Sequence, residues 1–247
     1  MLTTLRSLLF YLGVTPVTVF FGLVGILILP LPRRWRYYVI TRWSRFAIWW
    51  LRVTCGLGWR VTGTEHIPDR ASVILCKHQS AWETITLQMI FPPQSQVLKK
   101  ELLHMPFFGW GLASLNPIAI DRAAGAKALR HMLAEGKRRI EAGWFVLIFP
   151  EGTRVPVGQR GRYTSGGAAL AVQAGCPIVP VAHNAGVFWP RNTMRKEAGV
   201  IDVVIGPALD PTGRSAAQLM NEVEAWIEAR CAELPQQAGL CAGSRAE

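Results

Sequence analysis

The sequence predicts an α/β fold in which a mixed, mainly parallel sheet is flanked by helices and follows an N-terminal helical segment. From residue 57 onward, short β-rich runs alternate with segments of helical periodicity, an order typical of covered parallel or mixed sheets. Before that point, residues 8–31 carry no charged side chain. We therefore expect N-terminal helices over residues 1–56, an α/β domain over 57–234 and a disordered tail, rich in Gly, Ala and Gln, over 235–247.

The composition excludes several classes of protein. A chain of 247 residues that is 50% hydrophobic and 17% charged can bury a sizeable core, and it is neither a disordered tail nor a coiled coil. The 27 Lys and Arg against 16 Asp and Glu give a net charge of +11, which favours an anionic partner, either nucleic acid or an acidic membrane surface. The 5 Cys are odd in number and form no CxxC pair, so we expect reduced thiols rather than disulfides or a zinc site.

The uncharged run over residues 8–31 predicts a membrane-embedded helix. Its 24 residues would extend about 36 Å as a helix, enough to cross the hydrocarbon core of a bilayer. A secretory signal fits poorly, because Arg33-Arg34-Trp35-Arg36 follows in place of a small-residue cleavage site. The arginines after the run predict a cytoplasmic location for its C-terminal side. Pro16 and the glycines at 13, 22 and 25 leave open a bent or hairpin element buried in one leaflet.

Residues 33–52 strengthen the membrane prediction. Their aromatic residues are interleaved with arginines, and indole, phenol and guanidinium groups favour the headgroup level of a bilayer. The alternative, an amphipathic helix that covers a soluble core, is less favoured directly after a long apolar run. We therefore expect a membrane protein on the cytoplasmic face (of the inner membrane, if bacterial), and no nucleic-acid partner. The residues concerned are Trp35, Tyr37, Tyr38, Trp43, Phe46, Trp49 and Trp50, with Arg33, Arg34, Arg36, Arg42, Arg45 and Arg52.

Seven strands and two clear helices are predicted in the remainder of the chain. One helix covers 124–142, with an apolar stripe opposite a basic face, and another begins at Ser215, where Ser215 and Gln218 have the spacing of a capping box. The basic face includes Lys127, Arg130, Lys137 and Arg138, which solvation alone explains. The predicted strands are Trp59–Thr62, Ser72–Cys76, Gln96–Lys99, Ile118–Ile120, Trp144–Phe149, Ile178–Ala182 and Val200–Ile205.

A first polar cluster, Lys77-His78-Gln79-Ser80-Ala81-Trp82-Glu83, follows the apolar strand 72–76. Side chains at the carboxyl end of such a strand face the crevice where ligands bind. A carboxylate at Glu83 could hold one ring nitrogen of His78 and leave the other as a base. The alternative is structural, because Ser80 and Glu83 also have the spacing of a capping box. This stretch alone leaves both interpretations open.

Three more clusters lie at the ends of apolar runs. Phe149-Pro150-Glu151-Gly152-Thr153-Arg154 could bind a phosphate or a hydroxylated ligand, or form an ordinary polar turn. Ile120-Asp121-Arg122 follows a short apolar run, with Lys99 and Lys100 upstream, and Val179-Pro180-Val181 indicates a buried strand. The sequence contains no GxSxG, no HExxH and no phosphate-binding P-loop. His66, His104, His131 and His183 are scattered and are interpreted as structural, and Cys76 as a core residue.

Taken in order, these four clusters resemble the motifs of the glycerolipid acyltransferase family, in particular the 1-acyl-sn-glycerol-3-phosphate acyltransferases. The resemblance extends from about Gly58 to Gly206 and implies a glycerol-3-phosphate acyltransferase-like fold. The first motif of the family is His-x4-Asp, and here it is His78-x4-Glu83. Val155-Pro156-Val157 also departs from the Ser and basic residues common in the family. The first departure affects the geometry of the carboxylate, and the second affects the details of substrate binding.

The resemblance implies an enzyme that transfers an acyl group from acyl-CoA or acyl-acyl-carrier protein to the sn-2 hydroxyl of 1-acyl-glycerol-3-phosphate, giving phosphatidic acid for phospholipid biosynthesis. His78 would be the general base and Glu83 its orienting partner, with neither metal nor bound cofactor. Another lysolipid acceptor, such as a lyso-ornithine lipid, and a non-catalytic membrane-binding module are the alternatives. The residues implied in substrate binding are Lys99, Arg122, Glu151, Gly152, Thr153 and Arg154.

Overall fold

The N-terminal segment is a pair of long helices in the computed structural model, which describes residues 1–238. Helix α1 (Leu2–Leu27) and helix α2 (Arg33–Cys55) are joined by a short turn and pack along each other. Helix α1 continues through Pro16. Gly22 permits a close helix approach, because a Cβ atom there would lie 2.4 Å from the backbone oxygen of Phe107. The apolar run is therefore one arm of a helical hairpin.

The remainder of the described chain is an α/β domain built on a sheet of seven strands. Their order is β1-β7-β6-β2-β5-β3-β4, and every neighbouring pair is parallel except β6 and β7. The predicted mixed, mainly parallel sheet is confirmed, and each of the seven predicted strands is present. The strands are β1 (Leu57–Thr62), β2 (Val73–Cys76), β3 (Gln94–Lys99), β4 (Ile118–Ile120), β5 (Phe145–Ile148), β6 (Ile178–His183) and β7 (Gly199–Ile205).

Six further helices accompany the sheet. They are α3 (Trp82–Ile90), α4 (Phe108–Ser114), α5 (Ala126–Glu141), α6 (Gly166–Ala174), α7 (Ala185–Phe188) and α8 (Ala216–Glu233). Helix α5 is the predicted basic helix. It begins two residues late because Arg122–Ala124 form a separate 3-10 turn capped by Asp121. The capping box predicted at Ser215 is present, since the Ser215 and Gln218 side chains each accept the other's backbone N–H group.

Alternation along the central strands builds a hydrophobic core on each face of the sheet. In β2, Ile74 and Cys76 face a core shared with α1, α2 and α3. Val73 and Leu75 face a second core, shared with α5, α6 and α8. Both faces are therefore covered, as continuous apolar strands require.

The described residues include four of the five cysteines and only the start of the predicted tail. Within residues 1–238, Cys55, Cys76, Cys176 and Cys231 are free and buried, while Cys241 lies outside the described residues. Of the predicted disordered tail, residues 239–247 likewise lie outside the described residues.

Candidate active site

His78 lies directly after β2 and is fixed on three sides. Its backbone N–H group donates to Glu151 Oε2 at 2.9 Å, and its backbone oxygen accepts the Val155 N–H group at 2.8 Å. Its ring stacks on Phe149, with 4.0 Å between centroids and 18° between planes. The loop after β5 therefore holds the His78 backbone at both ends and supports one face of its ring.

Glu83, in the first turn of α3, holds the ring nitrogen Nδ1 of His78. Its Oε1 atom lies 2.8 Å from Nδ1 and also accepts the backbone N–H groups of Gln79 and Ser80, at 2.9 and 2.7 Å. A carboxylate partner assigns the proton to Nδ1, which leaves Nε2 with its lone pair. The Glu side chain reaches the imidazole ring despite the change from Asp, so the geometry required of a histidine base is present.

Both interpretations of the Ser80–Glu83 spacing are partly realised. Glu83 does accept the Ser80 N–H group, as in a capping box. The Ser80 hydroxyl, however, accepts the N–H group of Trp82 rather than that of Glu83, and Ala81 is the N-cap residue. The Oε1 atom of Glu83 therefore accepts hydrogen bonds both from backbone N–H groups just before α3 and from the His78 ring.

A second histidine, His183 at the end of β6, lies beside Glu83. The shortest distance is 4.0 Å, from His183 Nε2 to Glu83 Oε2. His183 Nδ1 accepts the Ala185 N–H group at 3.1 Å, and Nε2 donates to the backbone oxygen of Lys77 at 2.9 Å. Burial lowers the pKa of His183, which agrees with these two bonds, because Nδ1 can accept only when the ring is neutral.

The carboxyl group of Glu83 is ionised in this setting. Burial acts to raise its pKa, but the hydrogen bonds from the His78 ring and the Ser80 N–H group act in the opposite direction, and the net pKa lies below the usual value. Glu83 Oε2 has no hydrogen-bond partner among residues 1–238. An ionised, buried carboxylate at this position can stabilise positive charge on the His78 ring.

The motif residues of the loop after β5 occupy different positions relative to His78. The Glu151 carboxylate is buried behind His78, where it accepts the ammonium group of Lys77. Gly152 adopts a positive φ of 66° that shapes the turn. Thr153 is exposed, and Arg154 turns back toward the cavity in front of His78.

An apolar cavity of about 360 Å³ opens in front of His78. Its walls come from α1, α2, α3, β3 and α4, and include Phe21, Trp43, Ile85, Leu98 and Leu112. The N-terminal hairpin is therefore part of the site. Its contribution was not predicted, because no local motif marks those cavity-lining residues.

Three cations predicted to bind substrate, Lys99, Arg122 and Arg154, line the same cavity as His78. Lys99 pairs loosely with Glu101 at 3.6 Å. The 3-10 turn that carries Arg122 is capped by Asp121, whose Oδ1 accepts the Ala123 N–H group at 3.1 Å. The structure thus brings positive charge to the cavity that contains the predicted base.

Sequence reasoning missed His183 and Lys77. Both lie at the carboxyl ends of adjacent central strands, a position that marks ligand crevices and could have identified them. Cys76 is fully buried, and burial raises the pKa of its thiol. It is therefore a core residue.

The chain is similar to known acyltransferases in sequence and in fold. A family model described as Acyltransferase matches residues 58–184. The chain is 49% identical over 235 residues to a 1-acyl-sn-glycerol-3-phosphate acyltransferase of Pseudomonas aeruginosa, covering 93% of this chain and 91% of the relative. It is 30% identical over 200 residues to the human 1-acyl-sn-glycerol-3-phosphate acyltransferase beta, covering 76% and 71%. The crystal structure of a 1-acyl-sn-glycerophosphate acyltransferase from Thermotoga maritima matches with a TM-score of 0.77 and 25% identity, covering 98% of this chain and 97% of that one.

Proposed function

This chain belongs to the acyltransferase family, and we propose that His78 is the general base with which it acylates 1-acyl-sn-glycerol-3-phosphate to phosphatidic acid. The observation that carries this assignment is the His78–Glu83 pair, joined at 2.8 Å, at an apolar cavity that also contains three cations. A free alcohol is a poor nucleophile and needs a base at the moment of attack. His78 Nε2 is the group available for that purpose.

The proton then moves along one path. Nε2 takes the proton of the sn-2 hydroxyl as its oxygen attacks the thioester carbonyl. The imidazolium that forms is stabilised by Glu83 and gives the proton to the leaving thiolate as the tetrahedral intermediate collapses. No covalent acyl-enzyme is required. Each step uses the thioester and side chains of this chain, so we expect activity to persist in EDTA.

Arg122 and Arg154, helped by Lys99, bind the phosphate of the acceptor. Guanidinium groups bind phosphate oxygens in bidentate fashion, and all three cations line the cavity that contains His78. Gly152 shapes the turn before Arg154, and Thr153 contributes to substrate binding from the exposed side of that turn. Glu151 supports this arrangement from behind His78 rather than by contact with the phosphate.

The apolar cavity accommodates an acyl chain. Its walls are mainly aliphatic and aromatic, and burial of each CH2 group contributes about 0.8 kcal/mol. The acyl donor is a thioester, acyl-CoA or acyl-acyl-carrier protein, whose polar part remains outside. The hairpin of α1 and α2 forms one wall, so the cavity is closed only when both helices are in place.

The N-terminal hairpin attaches the protein to a bilayer. Helix α1 is long and apolar enough to cross a membrane, yet one side of it packs on α2 and α4. We propose that its other side lies in the cytoplasmic leaflet, with the arginines of α2 at the headgroups. Flotation with phosphatidylglycerol vesicles should weaken for Leu12→Glu and not for Val172→Glu on α6. The exposed apolar residues of α1, α2 and the segment around α4 include Leu5, Leu12, Leu23, Leu27, Trp35, Trp49, Met105 and Trp110.

The assignment of the base is tested with purified protein in mixed micelles and a labelled acyl thioester. Lysophosphatidic acid and a neutral monoacylglycerol are offered separately, with acyl-CoA and acyl-acyl-carrier protein as donors. His78→Ala should lower turnover by about 10²–10⁴-fold. The control is His131→Ala, which removes an exposed histidine on α5 and should leave turnover unchanged. A folded His78→Ala protein with near-normal transfer into phosphatidic acid would exclude His78 as the base.

A further inference from the structure

A buried lysine between two carboxylates lies behind His78. Lys77 Nζ donates to Glu151 Oε1 at 2.8 Å, to Glu228 Oε1 at 2.7 Å and to the backbone oxygen of Gln159 at 3.0 Å. The Lys77 side chain is 1% exposed and that of Glu151 is 0% exposed. All three protons of the ammonium group are therefore used, and this cluster is defined as the Lys77 cluster.

The Lys77 cluster is connected to the backbone of His78. Lys77 holds Glu151 Oε1, while Glu151 Oε2 accepts the His78 N–H group at 2.9 Å. A carboxylate held at one oxygen cannot rotate freely about its terminal bond, so Oε2 stays directed at His78. The position of the base therefore depends on the position of the lysine beside it in sequence.

Helix α8 supplies the second carboxylate of the Lys77 cluster. Glu228 lies on α8, beyond the residues 58–184 that the family model matches. Its Oε1 atom accepts both Lys77 Nζ and the Tyr163 hydroxyl, the latter at 2.8 Å. Glu228 is half-buried, whereas the buried residues of α8, such as Val223 and Ile227, are apolar and serve the core.

The charged state of Lys77 and the three N–H groups of its ammonium explain why two carboxylates are present. Burial acts to lower the pKa of Lys77, but its hydrogen bonds to Glu151 and Glu228 raise that pKa above the usual value, so the ammonium stays charged. An ammonium whose three N–H groups donate to Glu151, Glu228 and Gln159 is held in one position, whereas the loss of one acceptor would leave a buried N–H donor without a partner.

We propose that Lys77, Glu228 and Tyr163 are positioning residues that fix Glu151 and, through it, the backbone of His78. The inference rests on the proposed role of His78 as the base. None of the three touches the reacting atoms. They act by keeping Nε2 at the distance that proton transfer requires, and a displacement of about 1 Å there can lower turnover about 10²-fold.

The test compares kcat and KM for lysophosphatidic acid in four variants. Glu228→Ala should lower kcat about tenfold or more with KM within twofold of the wild type. Glu228→Gln keeps an oxygen for Lys77 and Tyr163, so its kcat should stay within about threefold. Lys77→Met should lower kcat about 10²-fold or more. The double variant Lys77→Met/Glu228→Gln should be no worse than Lys77→Met, because the two residues act as a unit.

The matched control is Glu222→Ala, which removes another α8 carboxylate, one that pairs with Arg214 at the surface. Melting temperatures show which variants fold. If Lys77→Met does not fold, kcat and KM are compared for Glu228→Ala and Tyr163→Phe instead. Wild-type kcat in folded Glu228→Ala and Lys77→Met proteins, or a loss confined to KM, would overturn the proposal. His78→Ala distinguishes the two levels: if it is inactive while those variants are normal, this inference alone fails, and if it is active, the assignment of the base fails.

Discussion

Glu83→Gln isolates the electrostatic part of the proposed mechanism. The amide oxygen of Gln can replace Oε1, which accepts His78 Nδ1 and the N–H groups of Gln79 and Ser80. The amide nitrogen then takes the place of Oε2, which has no hydrogen-bond partner among residues 1–238. The substitution therefore removes a charge while it keeps the hydrogen bond that orients the ring.

The size of the effect follows from the distance between Oε1 and Nδ1. At 2.8 Å, an imidazolium and a carboxylate attract each other by about 6 kcal/mol at an effective dielectric constant of about 20, which corresponds to an upper bound of about 10⁴-fold in rate. A charged hydrogen bond exceeds a neutral one by about 1–2 kcal/mol, which gives a lower bound of about tenfold. We expect kcat to fall about 10²–10³-fold.

The assay measures kcat and KM for lysophosphatidic acid in mixed micelles at a saturating thioester concentration. KM should change little, because Glu83 lies behind the ring and does not contact the acceptor. Glu222→Gln, at the surface of α8, is the control and should behave as the wild type. A folded Glu83→Gln protein whose kcat stays within about threefold of the wild type would refute the role given to the carboxylate charge.

Three other predictions test separate parts of the structure. Arg154→Ala should raise KM for lysophosphatidic acid more than KM for a neutral monoacylglycerol, and equal changes would remove Arg154 from the phosphate site. Leu112→Trp fills part of the apolar cavity, so kcat/KM should fall for long acyl chains and be kept for short ones, as product analysis with a chain-length series would show. Burial lowers the pKa of Lys196 to about 8, against 10.5 in an unfolded chain. Between these values the unfolded state binds one more proton at Lys196, so this group makes stability increase with pH, and from pH 8 to 9 the wild-type melting temperature should increase relative to that of Lys196→Met.

The strands and the catalytic loops could be predicted from sequence because their signals are local. Val73–Cys76 is a short apolar run that ends at a polar cluster, and β5 before Glu151 has the same form. Each run is too apolar for a surface position and too short for a buried helix, so a central strand is the remaining assignment. The pairing of His78 with Glu83 could also be predicted from sequence, because the two residues are only five positions apart across a strand-to-helix turn.

The contributions of Glu228 and α1 depend on long-range packing and left no comparable signal, whereas His183 is marked only by its position at the end of a strand. Glu228 meets Lys77 across 151 residues of sequence, and one acidic residue on an amphipathic helix is usually solvated. His183 follows an apolar strand and has no polar motif around it. From sequence, the glycines of α1 left a bent or hairpin element open beside a crossing helix, and the structure shows that Gly22 allows the start of α4 to approach closely.

Strand order explains why the motif residues occupy different positions around the cavity. Strands β6, β2 and β5 are neighbours at the centre of the sheet, so the residues that follow them, His183, His78 and Glu151, meet at one edge although they are far apart in sequence. Strand β4 lies two positions beyond β5, and the turn that carries Arg122 follows it. We therefore expect Arg122 to bind the acceptor rather than to orient the base. The hairpin closes the cavity from outside the sheet, so the proposed membrane attachment and the proposed binding of the acyl chain would be properties of the same two helices.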